Sequence, residues 1–135
     1  MAKIERFEDL DLWKEATSIG VAICKLTSSG KLMRDYSSKD RLRRAAISIS
    51  NNIAEGFEYN NNRNFVRFLG FSKGSAGELR SQLFVLKEAE VVSPDDYENL
   101  KNKLVSISKN ISGFIKYLRE FENKKSIVKI KSVNL

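Results

Sequence analysis

The chain has 135 residues, enough for one domain, and carries 24 Lys and Arg against 17 Asp and Glu, a net charge of +7. It has no His and one Cys, which removes a histidine general base, a His-ligated metal, an intrachain disulfide and a Cys-rich zinc site. One Pro and seven Gly argue against a turn-rich β-sandwich and against collagen-like or Pro-rich chains, while 41% apolar residues are enough to build a core.

The segment Met1 to Asp9 has no apolar stretch of the kind a signal peptide needs, and no apolar run approaches the ~20 residues of a transmembrane helix. The chain therefore reads as cytosolic, with no membrane partner. A first helix is predicted over about residues 9–28. Leu10, Trp13, Thr17, Gly20 and Cys24 recur at helical spacing, and Ala16, Ile19, Ile23 and Leu26 widen that stripe. Cys24 reads most simply as a small buried hydrophobe. Gly30, after Ser28-Ser29, suits a left-handed stop.

A second helix is predicted over about 38–59, with Ser37 or Ser38 as its N-cap. Leu42, Ala46, Ile49, Ile53 and Gly56 form its seam, broadened by Ala45, Ile47 and Ala54. Asn60-Asn61-Asn62 is a turn signal, because Asn bonds nearby backbone and tolerates the left-handed region. A third helix follows over about 63–91. Phe65, Phe68, Leu69, Ser72, Ala76, Leu79, Leu83 and Leu86 mark its inner face. Gly70, Gly74 and Gly77 fall together on one side, each costing about 1 kcal/mol of helix propensity against Ala. Three on one face imply close approach by a neighbouring helix, of this chain or of another subunit.

Ser93-Pro94-Asp95-Asp96 is a helix start: a cap, a Pro at the first helical position and two acids at the positive end of the dipole. The fourth helix is predicted over about 94–123, with Tyr97, Leu100, Leu104, Ile107, Ile111, Phe114, Leu118 and Phe121 as a heptad seam. Residues 124–135 are a basic tail, read as disordered or as a short strand. Four amphipathic helices on short connections make an all-α fold, an antiparallel up-down-up-down four-helix bundle.

Little in this pattern points to catalysis. A di-iron bundle needs Glu-x-x-His pairs, and His is absent. Gly70-Phe71-Ser72-Lys73-Gly74 lies inside a helical pattern, with no strand before it and the wrong spacing for a phosphate loop. No Ser has a histidine beside it, and nothing marks a Ser–Lys pair. No metal or other cofactor is expected. Arg44, Ser48, Asn51 and Glu55 share one face of the second helix. They form either a polar site or a hydrogen-bond network that fixes helix register, the second being the commoner case.

The positive charge is concentrated toward the C-terminus, with nine bases against five acids over residues 93–135. Arg41 and Arg44 lie one turn apart, as do Arg63 and Arg67. Lys109, Lys116 and Arg119 line the exposed side of the fourth helix, and Lys124, Lys125, Lys129 and Lys131 extend the run. Together with Arg43 and Lys73, these cations can track a phosphate backbone with little sequence preference. No DNA-reading helix motif is legible, and the aromatics mostly sit at core spacing. For any single cluster, a solvated surface is the commoner explanation.

Three blocks carry a family resemblance: Phe7-Glu8-Asp9-Leu10-Asp11-Leu12-Trp13-Lys14-Glu15-Ala16; Arg43-Arg44-Ala45-Ala46-Ile47-Ser48-Ile49 with Asn52-Ile53-Ala54-Glu55-Gly56; and Phe65-Val66-Arg67-Phe68-Leu69 with Gly74-Ser75-Ala76-Gly77-Glu78-Leu79. On these residues the chain resembles the 23S rRNA intervening-sequence protein family, over about residues 7–92. The resemblance implies a cytosolic bacterial four-helix bundle and a ring-shaped homo-oligomer, a pentamer. A related branch comprises the accessory proteins of diversity-generating retroelements, basic bundles that bind a reverse transcriptase and nucleic acid. The resemblance implies no enzymatic activity and no catalytic residues. It carries over Arg43, Arg44, Asn52, Glu55 and Gly56 as a signature, with Arg67, Ser75 and Glu78 in the third block. This chain has Ser50 where the family usually has Pro, which leaves the second helix without a kink. It also has Arg41 where the family usually has Gln, which adds charge near the helix start.

The expectation is thus a non-enzymatic, oligomeric bundle that binds RNA or DNA. The alternative is an oligomeric scaffold for a protein partner with no nucleic-acid role. An enzyme using Glu55 and Glu78 as acid and base is the third reading, and needs both carboxyls in a shared cleft.

Overall fold

In the computed structural model, the backbone is described for residues 4–133 and side chains for residues 4–124. A 3₁₀ turn at Phe7–Asp9 leads into α1 (Asp11–Leu26), α2 (Gly30–Arg34), α3 (Tyr36–Glu58), α4 (Asn62–Glu88) and α5 (Pro94–Val133). The four long helices form the bundle. α3 packs between α1 and α4, and α5 closes the ring by packing on α4 and α1. The short α2 lies in the connection between α1 and α3 and buries Leu32 against the core.

Local chemistry explains most of the boundaries. Asp35, not Ser37 or Ser38, caps α3: its Oδ1 accepts from the Ser38 backbone N–H at 3.2 Å, so the helix starts at Tyr36. Asn60 adopts a φ of +55°, and the Asn61 side chain accepts from the Asn64 N–H at 2.9 Å to cap α4. Gly30 has a φ of +64°, but it opens α2, four residues beyond the end of α1. Ser93 Oγ accepts from the Asp96 N–H at 3.1 Å, and Pro94 begins α5.

The core follows the predicted seams of α3 and α5 except at their margins: Phe121, expected in the α5 seam, is 50% exposed, and Ile47, expected to broaden the buried face of α3, is 43% exposed. Leu42, Ala46, Ile49, Ile53, Leu104, Ile107 and Ile111 are almost fully buried. In α1 the expected stripe narrows, keeping Leu10 and Gly20 buried. Leu12, Ala16, Ile19 and Ile23 carry the contact, whereas Trp13, Thr17 and Cys24 are only half-buried. Trp13 instead meets the Phe7 ring edge-on, centroids 5.2 Å apart, at the end of the bundle. Cys24 is likewise corrected from buried to half-buried, at the edge of an open groove between α1 and α3.

The C-terminal segment also differs from expectation. The helical backbone of α5 passes residue 123 and runs to Val133. Residues 124–135 contain no Gly or Pro to stop it. The side chains of Lys125, Lys129 and Lys131 lie outside the described residues.

Candidate nucleic-acid interface

The signature block of α3 divides into groups used inside the bundle and groups left on its surface. Arg43 belongs to the first kind. Its Nε donates to Thr27 Oγ1 at 2.8 Å, and its Nη2 to the Cys24 carbonyl at 3.3 Å and Ser28 Oγ at 3.1 Å. Thr27 is fully buried and itself donates to the Ile23 carbonyl at 2.7 Å. Arg43 therefore clasps the C-terminal turn of α1, where carbonyls lack helical partners and the dipole favours a cation. This removes Arg43 from the expected phosphate-binding set.

A polar ladder runs between α3 and α4. Ser72 is fully buried and donates to the Ile49 carbonyl at 2.7 Å. Ser48 and Ser75 share a hydrogen bond of 2.9 Å, and Asn52 Nδ2 donates to the Ser48 carbonyl (2.8 Å) and Oγ (2.9 Å). Gly56 marks the closest approach of the two helices. A Cβ there would stand 2.7 Å from Phe68 Cβ and 3.1 Å from Phe65 Cδ1. Ser48, Asn52, Gly56 and Ser75 thus set how α3 and α4 fit together.

Arg44, Asn51 and Glu55 are exposed on the outer side of α3. Arg44 is held by Asp40 at 2.8 Å, an exposed i,i+4 pair of little energetic consequence. Glu55 and Glu78 are both exposed, so the structure provides no water-excluded cleft for them to share; Glu78 Oε1 accepts from Gln82 Nε2 at 3.4 Å. Arg41 is exposed at a small cleft with Ser38, Ser81 and Gln82.

The remaining expected cations are exposed on α4 and α5, and Arg67 lies apart from the rest, over Phe71. Phe65 meets the Phe114 ring at 5.4 Å, Phe84 meets Tyr97 at 5.9 Å, and Asn62 Nδ2 donates to Glu122 Oε1 at 2.8 Å. This antiparallel register sets Arg63 level with Arg119, and Lys73 level with Lys109. Arg63 and Arg119 line one surface depression with Val66 and Leu118. Arg63, Lys73, Lys109, Lys116 and Arg119 are all exposed. Arg80, which the sequence reading passed over, is exposed one helical stretch along from Lys73. Among the described residues none of these six has a carboxylate within 4.0 Å. Glu120 and Glu122 lie on the same part of α5, and Glu122 is engaged by Asn62.

Two further surface features emerge only from the fold. Where α3 meets α4, Tyr59 stacks on Phe68 (5.2 Å, 18°), Phe68 meets Phe71 edge-on (5.6 Å), and the Arg67 guanidinium lies 5.5 Å from the Phe71 centroid. Tyr59 is 53% and Phe71 48% exposed. The signal was present in the sequence: Phe71 and Tyr59 fall off the seams of their helices. The second feature is the glycine row. Gly70, Gly74 and Gly77 are exposed, and a Cβ at any of them would meet nothing within 4 Å. Among the described residues they show no close intrachain helix contact of the kind Gly56 makes.

Among the described residues, no group of three or more potential metal ligands is clustered, and no helix is long and apolar enough to cross a membrane. No curated protein matches the chain. A solved structure from Bacteroides thetaiotaomicron VPI-5482, described as a protein of unknown function from the S23 ribosomal protein family, is similar with a TM-score of 0.71. It is 21% identical, and the likeness covers 78% of this chain and 98% of that one. At that identity the likeness bears on the fold alone. The sequence matches the family model of the 23S rRNA-intervening sequence protein over residues 8–113, and the chain belongs to that family.

Proposed function

We propose that this protein is a non-enzymatic, oligomeric, cytoplasmic nucleic-acid-binding bundle that contacts phosphates without reading sequence. The observation that carries the reading is the α4–α5 face, where Arg63, Lys73, Arg80, Lys109, Lys116 and Arg119 are exposed and, among the described residues, have no carboxylate within 4.0 Å. Cations spread over two adjacent helices match a phosphate backbone in charge, and their long side chains tolerate variation in its path. In this reading the contacts are to phosphates, so affinity depends on counterion release.

The test is anisotropy of labelled RNA and DNA across a salt series. Binding weakens as a steep straight line of log affinity against log salt. Replacing Lys109, Lys116 and Arg119 together by Gln lowers that slope by about 2–3 if each meets one phosphate. An unchanged slope removes this face from the reading, and no binding at low salt makes the net +7 a solubility feature.

A second reading, an oligomeric scaffold for a protein partner, is favoured by the unpartnered glycine row. Its neighbours Phe84 and Val85 are 47% and 61% exposed, so apolar and small surface lie side by side on α4. Self-association there, in a ring such as the pentamer the resemblance implies, is compatible with either reading.

A further inference from the structure

We infer that the aromatic ladder at the α3–α4 end of the bundle is a stacking platform for unpaired bases, so that the preferred ligand is single-stranded nucleic acid rather than duplex. This rests on the nucleic-acid reading above and specifies its ligand. Tyr59, Phe68 and Phe71 form a continuous run of rings, with the two outer members about half exposed. Tyr59 and Phe71 keep about half their surface open while packing on Phe68, whereas Phe65 nearby is buried; Phe84, Tyr117 and Phe121 are exposed to a similar degree but form no run of three rings beside an arginine. The cost of exposed apolar area is offset when a flat partner covers it, and every base has a flat face irrespective of sequence.

Charge complementarity selects the same occupant. Arg67 lies over one face of Phe71, so a base stacks either on the other face or in place of the guanidinium, which then stays within reach of the neighbouring phosphate. Arg63, one turn back along α4, leads to Arg119 and the α5 cations. A single strand crossing the first half of α4 can place bases on the ladder and phosphates on the arginines. A duplex presents its phosphates but keeps its bases stacked on each other, so only the basic face can engage it. Glu55 and Glu58 are exposed on α3 at this end, which favours the phosphates running along the α4–α5 side of the rings.

The experiment compares a labelled thymidine oligomer of about 20 nucleotides, longer than the roughly 4–16 that one single-strand module covers, with the duplex it forms with its complement. Wild type binds the single strand more tightly at equal salt. Phe71→Leu, which keeps an apolar exposed side chain, loses roughly tenfold on the single strand with the salt slope unchanged. Phe71→Trp restores the affinity, and neither variant alters duplex binding. Tyr59→Leu repeats the effect at the other end of the ladder, and helical circular dichroism verifies that each variant is folded.

If single strand and duplex bind alike with a steep salt slope, and both Leu variants are without effect, stacking is overturned while the phosphate reading stands. If neither nucleic acid binds at low salt, both fall together. If the Leu variants change the particle mass in solution, the ladder is an interface between copies of the chain, and the inference is likewise overturned.

Discussion

At position 56 the difference between Gly and Ala is one methyl group, and there is no room for it. The new Cβ would stand 2.7 Å from that of Phe68, an atom fixed by the α4 backbone. Gly56→Ala should therefore lower stability by about 1–3 kcal/mol through overpacking, even after the ~1 kcal/mol of helix propensity that Ala returns. Gly113→Ala in α5 meets nothing within 4 Å and should raise stability by about 0.5–1 kcal/mol. Urea unfolding of the two variants measures the contrast. Arg43 is the second residue whose role depends on position rather than type. Arg43→Met keeps the aliphatic stem and loses three donated hydrogen bonds at the end of α1, for an expected loss of about 1.5–3 kcal/mol in the same assay. It should leave the salt slope of nucleic-acid binding unaltered. In the sequence Arg43 is one cation among several. Its partners lie 15 to 19 residues earlier, on the tail of another helix, where spacing rules have no reach.

The helices themselves were legible because they carry their own punctuation. Apolar periodicity, Asn60 to Asn62 and Ser93-Pro94 each act within a few residues, so helical order could be read without tertiary information. Where the reading slipped, a longer-range contact decided. In α1 the expected stripe was too wide: Ala16, Ile19 and Ile23 are buried while Trp13, Thr17 and Cys24 lie at its margin, a choice that periodicity leaves open when two adjacent stripes are apolar. The polar ladder between α3 and α4 was visible as a polar stripe but not as a joint. Ser48 pairs with Ser75, 27 residues away, across the interface. A double-mutant cycle of Ser48→Ala and Ser75→Ala should give a coupling of about 0.5–1 kcal/mol in unfolding free energy. Zero coupling would mean the two hydroxyls act separately, each satisfied by its own helix.

For the molecule as a whole, surface pattern is harder to read than fold, because exposure is what folding decides last. A net charge of +7 says nothing of where the cations lie, whereas the fold sets Arg63 and Arg119 in one depression and leaves Arg80 exposed although no motif marks it. The exposed glycine row raises an assembly-level prediction: Gly74→Leu should change the particle mass by light scattering while leaving the chain helical, since position 74 is exposed and a Cβ there meets nothing within 4 Å. The closing of the ring has a different consequence. Every seam but one joins helices that follow each other along the chain. The exception, α1 on α5, is tied by Glu15, whose carboxylate accepts from Ser106 (3.4 Å) and Asn110 (2.9 Å), 91 and 95 residues away. Loop closure of that size is paid for only when the other three seams are in place. The α1–α5 seam should therefore form last and part first, leaving α1, α3 and α4 stacked. In native-state hydrogen exchange, the amides of α5 should show openings at lower free energy than those of α3, which lies away from the seam and exchanges only when the whole bundle comes apart.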